Sequence, residues 1–413
     1  MAATLIQNIR LLVNTRSTEK PLRGKEMQEL PCIPDAYMII EDGIIAATGS
    51  MNELPYREGH FSTVTDASGQ LLLPAWCDSH THLVFPASRE EEFIDKIKGL
   101  SYAEIAAKGG GILNSAAKLQ AMSESDLLNE SRKRLDEISR MGTGVVEIKS
   151  GYGLTTEGEI RMLRVIKKLK EESPVAIKAS FLGAHTYPPA YKENHEGYIR
   201  LLTEEMLPLI AGEKLADYID VFCEEGFFSP EETEKICLAG MAVGLKPRIH
   251  ANQLHASGGV QTGVKLGAIS VDHLESMDEE AVRSLAGSDT IGTLLPTAAF
   301  FLRMPYQPAR QLIDAGCAIA LATDYNPGSS PSGNMNLVAA MSCIQMRMLP
   351  EEVINAATLN GAFALELQKD YGSLVAGKKA SFILTKQVPG LAYLFYAFGQ
   401  SHIDKVMLNG EWL

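Results

Sequence analysis

The chain has 413 residues, with 38 Lys and Arg against 51 Asp and Glu, a net charge of −13. That balance argues against a nucleic-acid or anionic-membrane partner, since both reward clustered basic residues. It leaves room for a small anionic ligand, which needs one local cation. Hydrophobic residues at 46 % with 22 % charged exclude a disordered chain. Six cysteines without a C-x-x-C pair read as reduced thiols, no apolar stretch is long enough to span a bilayer and the N-terminus does not read as a signal peptide, so the expected compartment is cytoplasmic.

Residues 1–73 read as short strands and turns. The stretch AYMIIEDGIIAA at 36–47 sets two apolar runs around a Gly-containing turn, a hairpin signal. The pattern then changes to eight apolar, β-branched runs at 71–78, 144–150, 175–184, 218–225, 245–251, 268–274, 290–297 and 317–324. Helical periodicity separates most of them, as at 157–172. Eight strand–helix units predict a (β/α)8 barrel in preference to an open sheet, for which no G-x-G-x-x-G fingerprint is present. From residue 373 the chain is β-rich again, with an Asn-Gly turn in KVMLNGEWL.

The polar candidates gather at the ends of these runs. His80 and His82 follow the first and Tyr152 the second; His185 ends the third and Glu224 lies late in the fourth. His250 lies late in the fifth, His273 near the end of the sixth, and Asp324 ends the eighth. In barrel enzymes that rim collects the catalytic groups. One such histidine is more often a satisfied core residue, but the repetition across runs argues for a shared site. In Asp78-Ser79-His80-Thr81-His82 the two imidazoles fall on one face of an extended strand. With His250 and Asp324 they make three imidazoles and a carboxylate, a set suited to Zn²⁺ and also to Fe or Mn, with an open position for an activated water.

The blocks LLLPAWCDSHTHLVF, HANQLHASGG, DHLE and LATDYNPGSSP resemble the amidohydrolase superfamily. Within it, HLVFPASREEEF, KGGGILNS, EIKSGYGL, GAHTYPPAY and LLPTAAFFL resemble the imidazolonepropionase family of histidine degradation, over essentially the whole chain. The resemblance implies an α/β fold: a barrel over 74–374, with a small β-sandwich built from 1–73 plus 375–413. It implies opening of the lactam ring of 4-imidazolone-5-propanoate, a small anionic substrate, to N-formimidoyl-L-glutamate. Metal ligands carried over by position are His80, His82, His250 and Asp324, holding one ion per chain, Zn²⁺ or Fe³⁺. Asp324 would also shuttle a proton, and His273 would activate water or polarise the attacked carbonyl. Similar proteins are commonly homodimers.

Substrate recognition starts from charge. Arg89, nine residues beyond His80, is a fixed cation able to grip a carboxylate bidentately; its plain alternative is a surface pair with Glu90, Glu91 or Glu92. The resemblance assigns it to the propionate, with Tyr152 and His185 also on the substrate. Gln253 stands where related deaminases carry a Glu. A carboxamide cannot serve as general acid or base, which favours lactam hydrolysis over deamination. Asn326, Gly328 and Ser329 resemble the family's polar loop around the ligand, although N-P-G-S is also ordinary turn chemistry. Ala75 and Ser381 depart from common superfamily patterns. The fourth run ends in Phe222-Cys223-Glu224, with no Lys for a bridging carbamate, so a single metal is expected unless Cys223 or Glu224 recruits a second.

Overall fold

The computed structural model describes residues 3–55, 61–100, 104 and 110–413. The first residues of KGGGILNS, Lys108 and Gly109, lie outside them. Five strands open the chain: β1 (Ala3–Val13), β2 (Cys32–Glu41), β3 (Ile44–Ser50), β4 (Phe61–Asp66) and β5 (Gln70–Pro74). Eight more follow: β6 (Trp76–Asp78), β7 (Thr143–Lys149), β8 (Ala176–Ala184), β9 (Tyr218–Cys223), β10 (Lys246–Ala251), β11 (Ser270–His273), β12 (Ile291–Leu294) and β13 (Ile319–Leu321). The last are β14 (Phe382–Gln387), β15 (Ile403–Leu408) and β16 (Glu411–Trp412).

Strands β6 to β13 lie side by side in chain order and pair in parallel, each buried along most of its length. Helices cover them, as the crossover geometry of parallel strands requires. Helix Thr156–Glu172 is capped by Thr155, whose hydroxyl accepts from the Gly158 amide, and turns Ile160, Leu163, Ile166 and Leu169 inward. The ring closes just beyond the strand ends. Thr81 pairs in parallel with Tyr325, the Asp324 amide donates to the His80 carbonyl at 3.0 Å, and the His82 amide donates to the Tyr325 carbonyl at 2.9 Å. Closure therefore lays the His-x-His segment directly beside Asp324.

The remaining strands form one sheet, eight-stranded among the described residues, in the order β16-β15-β14-β5-β1-β2-β3, with β4 also on β1. Both termini contribute to it. Its apolar core includes Ile6, Ile9, Met38, Leu72, Phe382 and Met407. The two hairpin turns have consecutive positive φ angles, Asp42 and Gly43 at 50° and 75°, and Asn409 and Gly410 at 52° and 91°, as twisted two-residue turns demand. They also meet: a Cβ on Gly43 would stand 2.4 Å from the Asn409 carbonyl oxygen.

The first apolar run, 71–78, is two strands in two different sheets. The Ala75 amide donates to the Ser381 carbonyl of the terminal sheet at 3.1 Å, and the next amide, Trp76, donates to Gly142 of the barrel at 2.9 Å. The chain changes sheet between neighbouring residues without a polar break, because both sides are buried.

Candidate metal centre and active site

Four donor atoms converge at the C-terminal mouth of the barrel. His82 Nε2 lies 3.4 Å from His250 Nε2, and Asp324 Oδ1 lies 3.5 Å from both His80 Nε2 and His82 Nε2. The opposite ring nitrogens of two of these histidines are held from below, His80 Nδ1 by Asp272 at 2.8 Å and His250 Nδ1 by Asp220 at 3.0 Å. A carboxylate there keeps the proton on Nδ1 and leaves the Nε2 lone pair pointing inward. Burial, joined by Lys149 and neighbouring imidazoles, holds the pKa of His80 and His82 well below the usual histidine range. The lone pairs are thus available at neutral pH.

His82 Nε2 faces the His250 Nε2 lone pair at 3.4 Å, and His80 Nε2 has no hydrogen-bond partner among the described residues. Three of the separations among these donors are 3.4–3.5 Å, and a regular tetrahedron with such edges has its centre about 2.1 Å from each corner, a zinc–nitrogen bond length. The donor set fits one metal ion. His273 makes a second three-ligand group with His80 and Asp324, their ligand atoms all within 4.8 Å of one another. The backbone is left-handed at His273 (φ 90°) and Asp324 (φ 54°), a conformation that costs energy for residues other than glycine and concentrates at functional sites.

A charged layer lies under the cluster. Lys149 Nζ sits 2.7 Å from Glu147 Oε1 and 2.6 Å from Asp220 Oδ2, while Arg248 reaches Asp272 at 3.2 Å and donates to the Ser79 carbonyl at 2.7 Å. All five are fully buried. Burial opposes the Asp220 charge, yet His250 and Lys149 keep its pKa well below the usual carboxylate range. The sequence reading did not single out these residues. Their signal was charge at alternate positions of otherwise apolar strands, Glu147 and Lys149 in β7 and Arg248 two before His250 in β10, which places it on the inner face.

Above the cluster opens a cavity of about 460 Å³, lined by Arg89, Tyr152, His185, Gln253, Asn326, Gly328 and Ser329 together with His82, His250, His273 and Asp324. Every residue predicted to meet the substrate is on this wall, and His80 lies buried beneath. Tyr152 is presented by a loop that Glu159 holds from behind: its carboxylate accepts from the amides of Gly151, Gly153 and Leu154 at 3.0, 2.7 and 2.9 Å. A Cβ on Gly153 would fall 2.2 Å from the Glu159 amide, which explains the flanking glycine. His185 stacks on His82 with ring centroids 5.2 Å apart, and burial, with the nearby His250, pushes its pKa down to about 3.

The Arg89 side chain is 9 % exposed and lies loosely beside Glu92, Nε to Oε2 3.8 Å. Its guanidinium occupies the space where any Gly328 side chain would begin, 1.1 Å from the Cβ position. Asn326 Oδ1 accepts from the amides of Gly328 and Ser329, both at 2.8 Å, so the turn is self-bonded, and Ser329 Oγ also donates to Asp324 Oδ2 at 3.2 Å. Burial pushes Asp324 up to about 6. For His273, burial is outweighed by the Glu275 carboxylate, which raises its pKa.

Glu224 has another task. It accepts from the Leu254 amide at 2.8 Å and meets His255 Nδ1 at 3.1 Å, fixing the loop that carries Gln253. Among the described residues, neither Glu224 nor Cys223 joins a group able to hold a metal. No helix among them is long and apolar enough to cross a membrane.

The sequence pattern of the amidohydrolase family matches residues 228–413. An imidazolonepropionase from Flavobacterium johnsoniae is 55 % identical over 409 residues, covering 99 % of each chain, and one from Alkaliphilus metalliredigens is 39 % identical, covering 100 % of this chain and 98 % of the relative. Among solved structures, a triazine hydrolase variant superposes with a TM-score of 0.75 at 16 % identity, covering 100 % of this chain and 94 % of the other, a likeness of fold. At full-length identities of this size the chain belongs to the imidazolonepropionase family, on the amidohydrolase barrel.

Proposed function

We propose that this enzyme hydrolyses the ring amide of 4-imidazolone-5-propanoate to N-formimidoyl-L-glutamate in histidine degradation, using one Zn²⁺ or Fe³⁺ ion held by His80, His82, His250 and Asp324. The observation that carries this reading is one cavity that opens onto the His/His/His/Asp cluster and holds a buried arginine, with a carboxamide, Gln253, on its wall. A bound ion there supplies Lewis acidity and lowers the pKa of a coordinated water.

The chain's own residues do the rest. Arg89 binds the propionate and fixes the ring, with Tyr152 and His185 packed beside it. Gln253 hydrogen-bonds a ring nitrogen without exchanging protons. Asp324, pushed up to about 6, accepts a proton from the attacking water. His273, whose protonated form Glu275 favours, donates to the carbonyl oxygen as negative charge develops there. A bond forms between water oxygen and the ring carbonyl carbon, the ring C–N bond breaks, and the proton taken by Asp324 ends on the departing nitrogen.

The test is product identity. Incubation with imidazolone propanoate is expected to yield N-formimidoyl-L-glutamate without free ammonia. Ammonia release with the ring intact would establish a deaminase instead. Metal analysis of the active enzyme separates zinc from iron.

A further inference from the structure

Arg89 precedes helix Glu90–Ile97 and Lys96 lies in its last turn, seven residues on and therefore on the same face. Both line the cavity, and both close on one residue. The Arg89 guanidinium lies against Gly328 Cα, while Lys96 Nζ donates to the Gly328 carbonyl at 3.0 Å. Burial and the Arg89 charge push the Lys96 ammonium below its ordinary range. Two cations are thus held close together and partly out of water.

Glu92 is the carboxylate nearby. It is loosely placed at 3.8 Å from Arg89 Nε, and its Oε1 already accepts from the Gly111 amide and Asn114 Nδ2 at 3.0 Å each. Among the described residues lining the cavity, the other carboxylate is Asp324, within the histidine cluster. Among the described residues, two positive charges against one negative leave an excess of one at this end of the cavity, and Arg89 Nε is buried without a hydrogen-bond partner among them. A singly charged carboxylate balances that excess, since buried charge is costly until paired.

Resting on the reading above, in which the substrate carries a propionate, we propose that Lys96 is a second carboxylate-binding residue. The propionate sits between Arg89 and Lys96, and Lys96 sets the preference for an anionic over a neutral ring substituent. A plain tether of the Gly328 turn would give Lys96 no such selectivity.

Lys96→Gln keeps a donor for the Gly328 carbonyl and removes the charge, whereas Lys96→Arg keeps the charge. Each is assayed on imidazolone propanoate and on its neutral propanamide. Lys96→Gln is expected to raise KM for the propanoate about 10- to 100-fold, with kcat changed less than about threefold. The propanamide constants should stay put, and Lys96→Arg should recover most of the loss. An equal loss on both substrates, or none on either, overturns the proposal. Should Lys96→Gln fail to fold, Lys96→Met is read in the same way. Wild-type turnover of the propanoate with an unchanged acid-to-amide ratio in the variant sinks this inference alone. Failure of the wild type to open the ring sinks the underlying reading.

Discussion

His80 and His250 offer their inner lone pairs because Asp272 and Asp220 hold the opposite ring protons. Replacing Asp272 by Asn keeps the shape and removes the charge that fixes the tautomer. Metal affinity, read by competition with a chelator, is expected to fall about 10- to 100-fold. Unchanged affinity would mean the Asp272–His80 contact is incidental. At this scale the sequence was informative wherever spacing carries chemistry: the His-x-His pair and a strand-ending Asp. Asp220 and Asp272 are each a lone charge inside an apolar strand, which carries no period of its own. Arg248 and His250 two apart, like Glu147 and Lys149, held the period-2 signal that would have placed them inside the barrel.

Glu159 stands in the first turn of helix Thr156–Glu172, yet its carboxylate turns back to three amides of the preceding loop. Glu159→Ala leaves those buried donors without partners, which should lower stability by about 2–4 kcal/mol. It should also raise KM through Tyr152 while leaving metal content near that of the wild type. Denaturant unfolding and steady-state rates check the two halves separately; a lost metal with unchanged stability would contradict this placement. The helix itself was legible from its apolar spacing, displaced by one residue at its start. The split of 71–78 into β5 and β6 was not. Burial on both sides of Ala75 leaves a continuous apolar run, and what separates the strands is the exchange of partners from Ser381 to Gly142.

Across the whole molecule, the count of apolar runs conveyed the barrel, whereas its closure lies outside any run, in the pairing of Thr81 with Tyr325. The sheet shared by both termini was reached through resemblance, because strand periodicity does not say which distant strands pair. Lys378 marks the seam between the two parts: its carbonyl accepts from Ile45 in the terminal sheet, and its Nζ donates to the Tyr371 carbonyl near Cys77 of β6. Burial pushes its pKa down to about 8. Between that value and the ordinary lysine value of about 10.4 the unfolded chain binds the extra proton, so this group makes stability rise with pH across the window. Below about pH 8 it opposes folding. Compared with Lys378→Met, the wild type should gain unfolding free energy from pH 8 to pH 10; parallel pH profiles would contradict the assignment.

As proposed, the enzyme opens the imidazolone ring in a cavity where His80, His82, His250 and Asp324 would hold one ion and Arg89 would bind the propionate. Ultraviolet loss of 4-imidazolone-5-propanoate and metal content, measured on the same samples of wild type and His82→Ala, test it together. The account predicts roughly one metal ion per chain with turnover in the wild type, and loss of both in His82→Ala. A His82→Ala enzyme that keeps its metal and its full activity would contradict it.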